Sequence, residues 1–211
     1  MSSARLFVIS APSGCGKGTL IAELNKDFSV YNSISCTTRK PRDGEIDGVH
    51  YHFVTRKRFK QLIESDGFLE YASFAGNYYG TPRSAVEESL SNGKDVILEI
   101  EPQGALQVKK KCPDAVMLFI LPTSVASLDR RLHRRAKDSG ETEEMIQKRL
   151  ATAKGDIKCA YKYDYVMING ELNAAVSDIK KIYKAAKEGG ELSAFAAENM
   201  KDRIDEVLKN A

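Results

Sequence analysis

The stretch Ala11-Pro-Ser-Gly-Cys-Gly-Lys-Gly-Thr19 decides the fold of this chain. An apolar run at residues 6–9 precedes it and predicts a short strand. Apolar residues recur at intervals of three and four over residues 20–28, which predicts a helix. Since the order strand, glycine-rich turn, helix is typical of α/β domains, we take this stretch as the start of an α/β fold.

The remainder of the chain repeats the alternation of strand and helix. Apolar runs of strand length occupy residues 95–100, 115–121 and 164–168. Helix-compatible stretches follow them at residues 104–111, 124–136 and 172–187. Apolar strands that alternate with helices indicate a mainly parallel sheet with helices on both faces.

Two regions interrupt this alternation, and we interpret both as insertions at the ligand edge of the sheet. Residues 33–81 are polar, aromatic and rich in turns, which predicts short antiparallel strands around a helix at residues 58–65. Residues 130–150 are rich in arginine, and residues 192–208 have the spacing of a final helix. The expected division is a core of residues 1–34, 85–127 and 152–211, an inserted lobe of residues 35–84 and a lid of residues 128–151.

The composition is that of an ordinary soluble globular protein. Of 211 residues, 42% are hydrophobic and 29% charged, and the net charge of +3 is too small to imply a nucleic-acid or membrane surface. Residues 1–5 lack the pattern of a leader, and the run at residues 6–9 is too short to span a bilayer. We therefore expect a cytoplasmic protein with no nucleic-acid or membrane partner.

Cysteine usage agrees with that location. The four cysteines are Cys15, Cys36, Cys112 and Cys159. Because none belongs to a C-x-x-C pair or lies near a histidine cluster, we expect neither a zinc site nor a disulfide framework, and we expect a reducing compartment.

The opening stretch has the chemistry of a phosphate-binding loop. Gly14 and Gly16 allow the backbone to wrap a polyphosphate with its N–H groups pointing inward, and the following helix adds the positive end of its dipole. Lys17 can reach the β- and γ-phosphates of a nucleotide. The candidate ATP-binding residues here are Ala11, Pro12, Ser13, Gly14, Cys15, Gly16, Lys17, Gly18 and Thr19. The alternative is a turn that only joins a strand to a helix.

The loop departs from the pattern G-x-x-x-x-G-K-[ST] at both ends. Ala11 stands where the first glycine is usual, and Gly18 stands where a hydroxyl residue is usual, with Thr19 next. We expect Mg²⁺ to bind with ATP. Two alternatives remain for its ligands: the loop contacts the ion directly, or phosphates and water hold most of it, which suits an ion that dehydrates reluctantly.

A second phosphate site is suggested by Arg39 and Arg42, which flank the stiff residue Pro41. Planar guanidinium groups suit a bidentate grip on a phosphate monoester, and Tyr51 and the Gly76-Asn-Tyr-Tyr-Gly-Thr81 stretch offer phenolic hydroxyls. A solvated arginine-rich turn is the alternative. Together with a separate ATP loop, these residues imply a second phosphorylated substrate.

Several motifs along the chain resemble those of guanylate kinases. They are Ser35-Cys-Thr-Thr-Arg-Lys-Pro-Arg42, Gly44-Glu-Ile-Asp-Gly-Val-His-Tyr51, Gly76-Asn-Tyr-Tyr-Gly-Thr-Pro82 and Gln103-Gly104. The resemblance extends over residues 6–187 and implies a P-loop kinase core with an inserted GMP-binding lobe and an arginine-rich lid. It also implies that the chain transfers the γ-phosphoryl of ATP to GMP.

The resemblance carries particular residues with it. Arg39, Arg42, Tyr51 and Tyr79 would bind the GMP phosphate, and Ser35, Glu70 and Thr81 would contact guanine. An ionised Glu70 would accept from both N1–H and N2–H₂ of guanine, whereas adenine has a lone pair at N1, so a site of this kind rejects adenine. If Glu70 instead faces solvent on its strand, it has no such role.

Two carboxylates occur two residues apart at the end of an expected strand. Strand alternation predicts that Glu99 and Glu101 lie on one face, at the edge that faces ligands in open α/β sheets. The resemblance implies that Glu99 contacts GMP or orients its arginines and that Glu101 helps to hold Mg²⁺ through water. Guanylate kinases more often have Asp at the second position and Val after it, where this chain has Glu101-Pro102. Surface salt bridges are the alternative.

The arginine-rich segment predicts a lid. Arg131 and Arg135 are four residues apart and share a helix face, and arginines of a closing lid stabilise the charge on a transferring phosphoryl group. The resemblance assigns this work to Arg131, Arg135 and Arg149, and it places Asn169 near adenine. The candidate catalytic residues are Lys17, Arg39, Arg131, Arg135 and Arg149. We expect the three histidines to be structural or surface residues.

The function expected from the sequence is Mg²⁺-dependent phosphoryl transfer from ATP to GMP, by a monomer or a small homo-oligomer. Two alternatives remain at this point. A non-catalytic module of the same fold would bind protein partners and would bind ATP poorly. A kinase for another acceptor would show no preference for guanine.

Overall fold

The structure is a computed structural model that describes residues 4–74, 76–140 and 142–209. Residues 1–3, 75, 141, 210 and 211 lie outside the described part, at the ends of the expected core and inside the expected lobe and lid. The described residues fall into two compact units. The first unit contains residues 4–8 and 29–115, and the second unit contains residues 9–28 and 116–209. The division into core, lobe and lid stays a prediction.

The main sheet has five strands. They are β1 (Leu6–Ser10), β2 (Tyr31–Asn32), β7 (Val96–Glu99), β8 (Val116–Pro122) and β9 (Tyr165–Asn169), in the order β2-β7-β1-β8-β9. β2 pairs with β7, and β8 with β9, in parallel. Every residue of β1 and β8 is buried, as expected for apolar strands covered on both faces. The expected α/β fold with parallel strands is confirmed.

Eight α-helices are described. They are α1 (Lys17–Asn25), α2 (Arg56–Glu64), α3 (Arg83–Ser91), α4 (Pro102–Lys111), α5 (Val125–Ser139), α6 (Glu143–Lys158), α7 (Leu172–Glu188) and α8 (Lys201–Lys209). Except at the C-terminus, the helices expected from the sequence are present with slightly different limits. None of the helices in the described residues is both long enough and apolar enough to cross a membrane.

The first unit contains a second sheet of four strands. These are β3 (Cys36–Thr37), β4 (His52–Phe53), β5 (Phe68–Phe74) and β6 (Asn77–Pro82), in the order β4-β3-β6-β5. β6 pairs antiparallel with both β3 and β5, but β3 and β4 run parallel, so the expectation of only antiparallel strands was wrong. The connection over residues 38–51 is long enough for the crossover that a parallel pair needs. Phe59 of α2 stacks on Phe68 and closes a small core under this sheet.

The C-terminal region is not the single helix that its spacing predicts. A 3₁₀ turn at Ser193–Phe195 precedes α8, and a non-helical stretch lies between them. Ala197 N–H donates to Asp164 O at 3.1 Å, and the Asn199 side chain donates to Ser193 O at 2.7 Å. These bonds to groups outside a helix ladder interrupt the helix.

Candidate active site

In the glycine-rich loop between β1 and α1, Gly14 and Gly16 are favoured both by backbone conformation and by the lack of space for a side chain. Gly14 and Gly16 have φ of 83° and 86°, a left-handed conformation that favours glycine. A Cβ at Gly14 would lie 2.9 Å from Leu132 Cδ2, and one at Gly16 would lie 2.8 Å from Asn169 Nδ2. Neither position has room for a side chain. Gly16 is also the N-cap of α1, so Lys17 is the first residue of that helix.

Arg131 of α5 binds the loop backbone. Its Nη1 donates to Cys15 O at 2.9 Å, and its Nη2 donates to Asn169 O at 3.1 Å. Asn169 Nδ2 also donates to Cys15 O, at 2.6 Å. One loop carbonyl therefore accepts from both residues, and the end of β9 is joined to the loop. The adenine contact expected of Asn169 stays a prediction.

Arg149 of α6 also binds the loop. Its Nη1 donates to Ser13 Oγ at 2.6 Å. Of the three arginines expected to serve the lid, Arg131 and Arg149 are thus brought to the loop, whereas Arg135 lies exposed one turn further along α5. The three oxygens that accept these bonds, Cys15 O, Asn169 O and Ser13 Oγ, are neutral.

Cys15 is a structural residue within the loop. Its side chain is buried, and its Sγ donates to Ile120 O at 3.5 Å. Burial raises the pKa of this thiol to about 12, against the opposing effects of Arg131 and Lys17. The thiol is therefore protonated at neutral pH and unsuited to act as a nucleophile. All four cysteines are free.

In the first unit, Arg39 forms a bidentate ion pair with Glu45. Arg39 Nη1 donates to Glu45 Oε2 and Nη2 donates to Glu45 Oε1, both at 2.8 Å. The backbone N–H of Arg42 donates to Glu45 Oε2 at 2.7 Å. The hydrogen bonds from Arg39 are the main reason that the pKa of Glu45 falls to about 2, so Glu45 is ionised at neutral pH.

Sequence reasoning missed Glu45. The only signal was an acidic residue after the turn that contains Arg39 and Arg42, and such residues are usually solvated. Arg42 itself, another candidate for the phosphate, has an exposed side chain.

Two tyrosines complete the surroundings of Arg39. The rings of Tyr51 and Tyr79 meet edge to face at 6.0 Å, and the Arg39 guanidinium lies 5.5 Å from the Tyr51 ring centroid. Burial, followed by the influence of Tyr79, raises the pKa of Tyr51, so its phenol stays protonated and can donate. Glu99 acts on Tyr51 as a nearby negative charge. The structure thus brings together the expected Arg39, Tyr51, Tyr79 and Glu99.

Glu70 is buried, with 4% exposure, so the alternative of a solvent-facing residue was wrong. Its Oε1 accepts from Thr81 Oγ1 at 2.7 Å. The two residues are partners in the β5–β6 register, and an irregularity between Phe68 and Glu70 interrupts strict alternation there. Burial raises the pKa of Glu70, while Thr81 opposes the shift. Ser35, also expected at the base, directly precedes β3, and its carbonyl accepts from His52 N–H at 2.9 Å.

The expectation that Glu99 and Glu101 share a strand face was wrong. β7 ends at Glu99, and Glu101 is already the N-cap of α4. Pro102, which follows Glu101, is suited to the first turn of a helix and starts α4 early. Both carboxylates are exposed. In the described part of the chain, no group of three or more His, Cys, Asp and Glu residues is arranged to hold a metal ion.

His133 joins α5 and α6, a contact that the sequence did not indicate. Its Nδ1 lies 2.8 Å from Asp129 Oδ1, and its Nε2 lies 2.9 Å from Glu143 Oε2. The hydrogen bond to the Asp129 backbone, and then the one to Glu143, raise the pKa of His133. The contact is between α5 and the first turn of α6.

Comparison with known proteins identifies relatives over almost the whole chain. A family model described as Guanylate kinase matches residues 3–186. The guanylate kinase of Desulfitobacterium hafniense is 51% identical over 183 residues, which cover 86% of this chain and 90% of that one. A guanylate kinase of Thermus thermophilus is 48% identical over 212 residues and covers 97% and 95%. The crystal structure of guanylate kinase from Anaplasma phagocytophilum superposes with a TM-score of 0.72 at 31% identity, covering 89% of this chain and 88% of that one.

Proposed function

Because the chain belongs to the guanylate kinase family and is an ATP:GMP phosphotransferase, we propose how its residues divide that reaction between them. The non-catalytic alternative is not favoured, since the relatives over most of the chain are guanylate kinases. The assignment of residues rests chiefly on Glu70, a buried carboxylate paired with Thr81.

The loop in the second unit binds the ATP phosphates. Lys17 and the loop N–H groups meet the β- and γ-phosphates, and Asn169 lies toward adenine. Arg131 already donates to the neutral oxygens Cys15 O and Asn169 O, and Arg149 donates to Ser13 Oγ. Phosphate oxygens carry charge and form stronger hydrogen bonds with arginine than neutral acceptors do, so both arginines exchange partners when ATP binds. Arg135 joins them on the transferring group.

Arg39 binds the GMP phosphate, and Glu45 holds the Arg39 guanidinium in position. A guanidinium has five N–H donors, and three hydrogen bonds go to Glu45 and Lys40 O. The pair therefore fixes the plane of the guanidinium without using every donor. Arg42, Tyr51 and Tyr79 add donors to the same phosphate, and Glu99 orients them through Tyr51.

Glu70 and Thr81 select guanine, together with Ser35. In the free protein Glu70 is desolvated, which raises its pKa. Guanine brings two donors to this carboxylate, and hydrogen bonds to the ionised form lower its pKa again. Adenine brings a lone pair instead, so binding it leaves a buried acceptor unpaired.

The residues present are compatible with Mg²⁺. This ion prefers oxygen ligands, keeps several waters, and in kinases binds through one or two carboxylates and the substrate phosphates, so it needs no dedicated cage. Glu101 would hold it through water. When bound with ATP, Mg²⁺ neutralises charge on the β- and γ-phosphates.

Transfer then requires alignment more than proton removal. The GMP phosphate is an anionic nucleophile, and no general base is needed. Arg131, Arg135 and Arg149 stabilise charge on the transferring group, and closure of the lid keeps water from taking the phosphoryl.

We also propose the setting of this reaction. The protein acts in the cytoplasm on ATP and GMP, without a nucleic-acid or membrane partner, as a monomer or a small homo-oligomer. Its net charge of +3 supports the absence of a nucleic-acid or membrane partner.

An acceptor panel tests the residue assignment. Wild-type protein and Glu70→Gln are assayed for ADP formation with Mg-ATP and GMP, IMP or AMP. We expect wild-type activity in the order GMP, IMP, AMP, because IMP lacks N2–H₂ and AMP lacks both donors. Glu70→Gln should lower kcat/KM for GMP by about 10²- to 10³-fold, because a buried charged acceptor is removed. An unchanged preference in Glu70→Gln would contradict the assignment.

A further inference from the structure

Gly104, the third residue of α4, lies directly against the Glu70 carboxylate. A Cβ on Gly104 would overlap Glu70 Oε2 and would lie 2.9 Å from Cδ and 3.4 Å from Cγ. Real Cβ atoms essentially never come within 3.0 Å of a heavy atom that lies outside their own residue and its chain neighbours. A side chain at residue 104 and the present position of Glu70 therefore exclude each other.

The backbone at Gly104 does not itself require glycine. Its φ is not in the left-handed region, unlike that of Gly14 or Gly16. It lies in a helix, where alanine is the better helix former. Space beside Glu70, and not backbone conformation, is what glycine provides here.

Glu70 cannot easily withdraw from Gly104. Its side chain is buried, and its Oε1 is held by Thr81 Oγ1 at 2.7 Å. Cross-strand pairing of Glu70 with Thr81 fixes the backbone from which the side chain extends. The carboxylate is thus restrained at one oxygen while the other faces Gly104.

Helix α4 is also held in place. Gln107 Nε2 donates to Tyr71 O at 2.9 Å, and Lys111 Nζ donates to Phe68 O at 3.0 Å. Gln107 and Lys111 follow Gly104 by three and seven residues, so all three lie on one face of the helix, toward β5. The two hydrogen bonds oppose movement of the helix away from the strand.

We infer that Gly104 determines guanine specificity, because its lack of a side chain reserves the space in which Glu70 presents its carboxylate to the base. The inference rests on the proposed role of Glu70 in binding guanine. A methyl group at residue 104 moves Glu70 Oε2, and guanine then loses the acceptor for one or both of its donors. The atoms nearest to the added Cβ all belong to Glu70, so we expect no effect on the loop that contains Lys17.

The variant Gly104→Ala tests the inference, with Gly155→Ala as its control. Gly155 lies in α6, and a Cβ there would meet nothing within 4 Å. We expect Gly104→Ala to raise KM for GMP by about ten- to a hundredfold, the loss expected for hydrogen bonds to a charged group, and to reduce the preference for GMP over AMP. KM for ATP should stay within about twofold, and Gly155→Ala should match wild type. A KM for GMP within about twofold of wild type in Gly104→Ala would overturn the inference.

A double variant tests whether Glu70 is the cause. Aspartate at residue 70 places its carboxyl carbon near the position of Glu70 Cγ, 3.4 Å from the added Cβ, and no atom at the position of Glu70 Oε2, so the most severe overlap is removed. The effect of Gly104→Ala on KM for GMP should then be smaller in the Glu70→Asp background than in wild type. Equal effects in both backgrounds would count against the inference.

The double variant also tests the inference if Gly104→Ala does not fold. Circular dichroism of Gly104→Ala and Glu70→Asp/Gly104→Ala decides the matter: a folded double variant supports the clash with Glu70, and an unfolded one contradicts it. Glu70→Gln distinguishes a failure of the proposed guanine site from a failure of the role inferred for Gly104. Normal use of GMP by Glu70→Gln overturns the proposed guanine site, whereas impaired Glu70→Gln with normal Gly104→Ala overturns only the role of Gly104.

Discussion

The hydrogen bonds described for the candidate arginines of the two units go to different kinds of acceptor. In the second unit, Arg131 and Arg149 donate to neutral oxygens of Cys15, Asn169 and Ser13. In the first unit, Arg39 is paired with the ionised carboxylate of Glu45. A phosphate readily replaces a neutral acceptor, because the bond from arginine to a charged oxygen is stronger. A carboxylate competes more strongly with phosphate, so we expect Glu45 to keep its bonds to Arg39.

This difference indicates two modes of preparation for substrate. We expect Arg131 and Arg149 to leave the loop oxygens for phosphate when ATP binds. We expect Arg39 to stay in one orientation when the GMP phosphate arrives. Variants at the phosphate loop and at the Arg39–Glu45 pair therefore have different expected effects, and each can contradict this distinction between the units.

The largest effect is expected at Lys17. Lys17→Met removes the one loop cation assigned to the β- and γ-phosphates and should lower kcat by about 10²- to 10³-fold, the usual cost of losing a donor to developing charge. Lys26→Met is the matched control, since Lys26 is exposed and pairs locally with Glu23. A coupled assay for ADP measures both. Loss of less than about tenfold in Lys17→Met would exclude Lys17 from the reaction.

A smaller effect is expected at Glu45. Glu45→Gln keeps the shape of the side chain but removes the charge that orients Arg39, so KM for GMP should rise about tenfold, in line with the loss of one charge-assisted hydrogen bond. KM for ATP should not change, and the exposed Glu64→Gln serves as control. If Glu45 only competes with phosphate, KM for GMP will fall instead, and the distinction between the two units will not hold.

The phosphate loop and the GMP site also differ in how far sequence reasoning could predict them. The loop is contiguous, so the need for glycine at residues 14 and 16 follows from local pattern. The proposed GMP site gathers Arg39, Tyr51 and Glu70 from separate elements. Residue chemistry indicated Arg39 and Tyr51 as part of a second phosphate site, but only the resemblance to a family indicated Glu70. No local pattern shows which strand faces pack together, or that Glu45 pairs with Arg39.

The errors have the same origin. Alternation placed Glu101 on a strand that ends at Glu99, because periodicity does not mark where a strand gives way to a helix cap. The direction of β4 relative to β3 depends on the path of the intervening loop, which has no periodic signal. Likewise, the sequence indicated Gly104 only as part of a motif. The need for glycine there comes from a contact with Glu70, which lies on another element.

The contact of His133 between α5 and α6 provides a weaker, pH-dependent test. The pKa of His133 is raised in the folded protein, so its proton stabilises the contact with Asp129 and Glu143 fully below about pH 6.5, and this contribution is lost as pH rises through the folded pKa. His133→Gln should lower Tm slightly at pH 5.5 and not at pH 8.5, because the contact is exposed. Thermal unfolding at the two pH values measures this. Equal shifts at both would show that the charge of His133 is irrelevant.

The smallest effect is expected at the cysteine inside the loop. Burial and the raised pKa of Cys15, about 12, should make it slow to react with a thiol reagent. Mass spectrometry after brief labelling should find the half-buried Cys112 and Cys159 modified before Cys15 and Cys36. Early modification of Cys15 would mean that the loop opens without ligand, contrary to its hydrogen bonds with Arg131 and Asn169.

Separate titrations of ATP and GMP into Lys17→Met and Glu70→Gln test most directly whether each unit binds its own nucleotide. Calorimetry should show at least about tenfold weaker ATP binding with unchanged GMP binding in Lys17→Met, and the reverse in Glu70→Gln. If either variant weakens both nucleotides equally, the assignment of one substrate to each unit is wrong.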